Sequence, residues 1–171
     1  MDNYISDLGS LRYTPLPIFL DYGAMSSSIT MLPFGFYLEN ILNRVPRTMN
    51  DVKELKRNRI RLSNLGMLSF LMGVVGFFGR GLFSEDRTTS LNLHYFFSVV
   101  VFSGFIFAGI FFGLVIVLYT TTIPKVIGIY MTCIPIIPGI IFVFTRAPLM
   151  EWFMFFSLLI WISAIMITFF R

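Results

Sequence analysis

Five apolar runs, each long enough to cross a bilayer, constrain this chain more than any other feature. They lie at 18–41, 62–83, 93–119, 127–144 and 149–170. The hydrocarbon core of a membrane takes about 20 apolar residues per helix. Only 13% of the 171 residues are charged, too few to solvate a globule in which 56% are hydrophobic. Strand-type spans are excluded because the runs are too long and lack the in–out alternation of a barrel wall. In lipid each backbone group must be satisfied within its own segment, so α-helices follow. The expected fold is all-α: a polytopic transmembrane helical bundle forming one integral membrane domain over 1–171, with five spans in this chain.

Basic residues give the expected orientation. The connection 44–61 reads RVPRTMNDVKELKRNRIR and holds Arg44, Arg47, Lys53, Lys56, Arg57, Arg59 and Arg61, seven of the thirteen basic residues. The positive-inside rule places it in the cytoplasm, with Lys125 and Arg171 on the same side. Arg12, Arg80, Arg87 and Arg146 then lie outside, nine inside against four outside. This predicts a multi-pass protein of the cell membrane with an extracytoplasmic N-terminal segment. The net charge of +4 sits mostly in that one juxtamembrane stretch, where it meets anionic headgroups. Nucleic acid is therefore not an expected partner; membrane lipids are, together with membrane-protein partners. Residues 1–17 have neither the basic nor the apolar region of a signal peptide. Yet they fall outside, so a further span before Met1 is expected.

Helices in lipid associate through close packing of small residues. Gly66, Ser69, Gly73, Gly76 and Gly79 recur at steps of three and four, which keeps them on one face. The third run offers Gly104 with Ala108 and Gly109 with Gly113. Runs two and three are expected to be a tightly packed pair. Pro33, Pro135 and Pro138 lie inside runs one and four, where each removes a backbone donor. Such breaks shape the bundle or line a cavity. The single cysteine, Cys133, rules out a disulfide within the chain and reads as a packing residue.

Ionisable residues in membrane spans are costly and mark function. With this topology Asp7, Asp21, Arg80, His94, Arg146 and Glu151 gather at the outer end, with Trp152 as an interfacial ring. Glu85 and Asp86 read as solvated loop charges. His94 is the group able to switch near neutral pH, oriented by a carboxylate such as Asp7 or Glu151. Arg80 or Arg146 suits the phosphate of a lipid headgroup. Each residue also has a plainer reading: an interfacial histidine, a helix-start Glu151 favoured by the helix dipole, a turn-forming Asp7. One His and scattered carboxylates make a poor metal pattern, and no metal or cofactor is expected. No nucleophile triad or phosphate-binding Gly-rich loop is present.

Three short segments carry a family resemblance: Ser6-Asp7-Leu8-Gly9 before a span, His94 opening a later span after a short outer loop, and Glu151-Trp152 opening the last one. Together these resemble the Frag/DRAM/Sfk group of six-span membrane proteins. They also resemble the prokaryotic six-span family carried as a domain of unknown function (number 998). The resemblance covers nearly the whole chain in order and spacing, and it departs by one absent span at the start. It implies a six-helix bundle with an outer polar site. Relatives in the eukaryotic branch are linked to GPI-anchor lipid remodelling, autophagy modulation and plasma-membrane lipid organisation.

The leading expectation is a protein that binds or handles a lipid at the outer end, with Asp7, His94 and Glu151 as the polar core. The alternatives are a lipid hydrolase or acyltransferase using His94 with a carboxylate, and a non-catalytic structural subunit of a membrane complex. The topology is directly testable. In a Cys133→Ser background, a cysteine replacing Arg57 reacts with an impermeant maleimide only after cells are permeabilised; labelling of intact cells overturns the orientation.

Overall fold

A computed structural model describes residues 3–44, 53–87 and 91–169, without the side chains of 53–56 and 87. Arg47 and Arg171 lie outside the described residues, as do the side chains of Lys53, Lys56 and Arg87. Every regular element among the described residues is helical. The helices are α1 (Ile18–Asn43), α2 (Lys53–Leu82), α3 (Leu93–Leu118), α4 (Lys125–Cys133), α5 (Ile136–Thr145) and α6 (Pro148–Phe169). Short 3-10 turns form at Ser6–Gly9 and Glu85–Arg87.

Four stretches are long and apolar enough to cross a membrane: Arg57–Leu82, Leu93–Leu118, Lys125–Thr145 and Pro148–Phe169. α1 is the fifth helix. Its 26 residues give about 39 Å of length at 1.5 Å per residue. Asp21, Glu39 and the hydroxyls of Ser26, Ser27, Ser28 and Thr30 interrupt its apolar surface, and it is not among those four stretches. The fourth expected span is two helices. Pro135 supplies no N–H and its ring crowds the carbonyl four residues back, so the chain breaks between α4 and α5. Pro138 sits in the first turn of α5, where a missing N–H costs nothing.

α2 and α3 are antiparallel neighbours joined along the small-residue stripe. Four glycines of α2 face α3 groups: Gly66 the ring of Phe112, Gly73 the ring of Phe105, Gly76 the backbone at Val100 and Val101, Gly79 the ring of Phe97; the fifth, Gly81, faces Asp21 and Met25 of α1. An added Cβ on Gly76 would lie 2.7 Å from the Val101 nitrogen, and one on Gly104 2.6 Å from the Gly73 Cα. Gly109 and Gly113 do not join this seam. They stand five and nine residues beyond Gly104 and so point elsewhere round the helix. They face α4 instead, where a Cβ on Gly109 would meet the Met131 carbonyl at 3.0 Å and one on Gly113 the Gly128 carbonyl at 2.6 Å.

The core is filled by Leu38, Phe70, Phe112, Ile116, Met131, Trp161 and Ile165, all fully buried. Phe34 of α1 lies 6.0 Å from the Phe70 ring and 6.5 Å from the Trp161 ring, closing α1 onto α6.

At one end, α2 begins well before the expected boundary at residue 62. Its early turns carry Arg59, which the sequence reading places in the basic connection 44–61. Arg59 is instead 2% exposed. Its Nε donates to the Leu42 carbonyl at 2.6 Å, Nη2 to Arg44 O at 2.9 Å and Nη1 to Thr120 O at 3.3 Å. The guanidinium thus satisfies the orphan carbonyls at the C-terminal end of α1 and just past the end of α3, where the helix dipole favours a cation.

The seam predicts opposite signs for two identical substitutions. Gly104→Ala forces backbone apart and lowers stability by about 1–3 kcal/mol. Gly23→Ala, where nothing lies within 4 Å of the new Cβ, is neutral or stabilising by up to about 1 kcal/mol. Thermal unfolding in detergent reads both; equal losses would contradict a tight α2–α3 contact.

Candidate functional site

The opposite end of the bundle is closed by a strap, residues 3–17, held by carboxylates. The Ile5 N–H donates to Glu151 Oε2 at 3.0 Å. Ser10 Oγ donates to Asp86 Oδ1 and the Leu11 N–H to Asp86 Oδ2, both at 2.7 Å. Asp7 serves the strap itself, accepting the Tyr4 N–H at 2.8 Å and so fixing the Ser6–Gly9 turn. Tyr4 Oη donates to the Arg146 carbonyl at 2.7 Å, and Trp152 Nε1 to Asn3 O at 3.1 Å. Asp86 is therefore a clamp rather than the free loop charge expected from sequence.

Beneath the strap lies a buried charged cluster. Arg80 Nη2 stands 3.6 Å from Glu151 Oε1, with both side chains under a tenth exposed. Asp21, 5% exposed, and Glu85 are within electrostatic range of Arg80. Glu85 is not a solvated charge either. Burial, with Asp7 and Asp86 adding repulsion, pushes its carboxyl above the usual range; Arg80 and Arg12 only partly oppose this. The expected outer-end residues thus come together, but not in the expected pairing. Neither Asp7 nor Glu151 orients His94. Its Nδ1 lies 2.8 Å from the Phe83 carbonyl. A carbonyl can only accept, so the neutral ring carries its proton on Nδ1 and presents a lone pair at Nε2. Nε2 is buried with no hydrogen-bond partner among the described residues.

Beside this cluster a groove of about 810 Å³ runs between α3 and the α5–α6 pair. Its polar end is formed by Tyr4, Ser6, His94, Tyr95, Arg146 and Glu151. Its length is apolar, lined by Phe102, Ile106 and Ile110 of α3 and Ile136, Ile140 and Val143 of α5. Ser98 and Ser103 also line it, but their hydroxyls donate back to the carbonyls of His94 and Val99 at 2.9 and 2.7 Å. That back-bonding spends their polarity within the helix. The groove follows from the Pro135 break. α4 is drawn onto α3 by Gly109, Gly113 and Gly128, whereas α5 packs mainly on α6 and opens away from α3.

Sequence reasoning missed Tyr4, Tyr95 and the groove wall. A signal was present: 95, 98, 99, 102, 103, 106, 107 and 110 recur at helical spacing on one face of α3. Nothing in the sequence says that this face meets a gap rather than a helix. Among the described residues, no three His, Cys, Asp or Glu side chains gather in a way that could hold a metal ion.

The buried ion pair predicts a strong coupling. Arg80→Met or Glu151→Met alone strands a buried charge and costs about 3–5 kcal/mol. In the Arg80→Met/Glu151→Met double variant the loss falls short of the summed single losses by at least about 1 kcal/mol. Additive losses in a denaturation cycle would show that the two groups do not interact.

Comparison of the chain with protein-family models, with curated proteins and with solved structures found no match.

Proposed function

We propose that this protein holds an amphiphilic lipid in the groove between α3 and α5, with the lipid's polar end at the extracytoplasmic side, where Asp7, Asp21, Arg80, His94, Arg146, Glu151 and Trp152 gather. The observation that carries this reading is the groove itself: about 810 Å³, polar at one end and apolar along its length. That volume falls within the usual range of small-molecule sites, roughly 300–1,000 Å³. From His94 to Ile110 the lining on α3 covers about 24 Å at 1.5 Å per residue, enough to pass a chain through one leaflet, roughly 15 Å of hydrocarbon. Placement in the cell membrane, with the strap outside, and kinship with the Frag/DRAM/Sfk and number-998 groups belong to the same proposal. Their support is the charge distribution and the meeting of Asp7, Glu151-Trp152 and His94 at one end.

A second reading has one specific observation in its favour. The His94 Nε2 lone pair suits a general base in lipid-ester hydrolysis or acyl transfer.

Native mass spectrometry of the detergent-extracted protein tests the first reading. Wild type carries a lipid mass, and Ser103→Trp, which fills the groove, loses it. Equal occupancy in both, or a wild type without lipid, sinks it. Turnover of added lipid that vanishes in a folded His94→Ala variant would favour the enzyme instead.

A further inference from the structure

We propose that Arg146 is the phosphate-binding residue of the groove, so that its ligand is a phospholipid rather than a neutral lipid. This rests on the lipid-groove reading and names the headgroup chemistry.

Two of the three described arginines at the strap end are unsuited to a ligand. Arg80 is 7% exposed and faces the Glu151 carboxylate. Arg12 lies over its neighbour Tyr13, with its ring centroid 5.5 Å away, and does not line the groove. Arg146 does line it, and remains exposed. Its Nη1 donates to the Tyr95 hydroxyl at 2.9 Å. Its guanidinium stands 5.8 Å from the Tyr95 ring centroid and 5.9 Å from that of Phe142. All of these partners are neutral. No carboxylate among the described residues lies within ion-pair distance of Arg146. The nearby acids are otherwise engaged: Glu151 with Arg80 and the Ile5 N–H, Asp7 with the Tyr4 N–H.

The cation is also pre-oriented. Arg146 adopts a left-handed backbone, φ 52° and ψ 25°, which is unfavourable for a residue with a long side chain. The Tyr4 hydroxyl holds its carbonyl at 2.7 Å, and its own N–H donates to Phe142 O at 2.9 Å. Two aromatic faces and one hydroxyl leave the rest of the planar fork of donors unused. That fork matches two phosphate oxygens, a geometry lysine cannot offer. It sits at the polar end of the apolar groove, which the proposed membrane placement puts at the depth of a headgroup phosphate.

The test uses delipidated full-length protein in detergent, phosphatidylglycerol and diacylglycerol of identical chains, and native mass spectrometry to count bound lipid. Wild type prefers the phospholipid by about tenfold or more, as expected for a charge-assisted contact. Arg146→Asn, which tolerates the left-handed backbone, binds both lipids alike, and Tyr95→Phe loses part of the preference. Equal binding of both lipids by wild type overturns the phosphate assignment and leaves the groove standing. Binding of neither overturns the groove reading with it. Inorganic phosphate that binds as tightly as the phospholipid, in an Arg146-dependent way, overturns the lipid as the phosphate's source.

Discussion

The backbone contact between α2 and α3 is the constraint on which the rest of the bundle depends. Hydrocarbon tails compete with apolar side chains on equal terms, so helices in lipid gain by approaching more closely than lipid can pack. Here Gly73 and Gly104 bring two backbones together, and Gly66, Gly73 and Gly79 receive Phe112, Phe105 and Phe97 as knobs. The seam sets the register of α3. That register places Gly109 and Gly113 toward α4 and leaves the face bearing Tyr95, Phe102 and Ile106 to the groove.

Charge holds the two ends by different means. At one end a single guanidinium, Arg59, gathers three carbonyls near helix ends and needs no carboxylate. At the other, carboxylates outnumber cations, and several spend their lone pairs on the backbone N–H groups of the strap. This explains how so many acids coexist there. Glu151 and Asp86 accept from the Ile5 and Leu11 N–H groups of the strap, and Arg80 offsets Glu151 at the buried centre. The strap in turn fixes the Arg146 carbonyl through Tyr4, so the rim of the groove inherits its geometry from residues far away in sequence.

The polar end was legible because polarity in an apolar background is conspicuous. Asp21, Arg80, His94 and Glu151 stand out, and the alternation of the helices puts them on one side. Their partners were not legible. The Phe83 carbonyl opposite His94 carries no side-chain signature, and the roles of Asp86 and Glu85 depend on where the strap crosses. Arg59 was misplaced for a related reason. A basic run beside a membrane span is generic, and only the folded chain shows one member turning inward onto the ends of α1 and α3.

By itself, the sequence determined an all-helical fold, the four long apolar helical stretches to within the Pro135 break, and the small-residue face that α2 offers a neighbour. These follow from hydrophobic run length, proline's missing donor and helical periodicity, all local properties of the chain. Only the tertiary structure decided that α5 stands off from α3 to leave a groove, that a strap closes its polar end, and that Arg80, rather than Arg146, faces a carboxylate at ion-pair distance among the described residues. Those outcomes depend on which surfaces meet at distance, and a gap between two helices is written in neither of them alone.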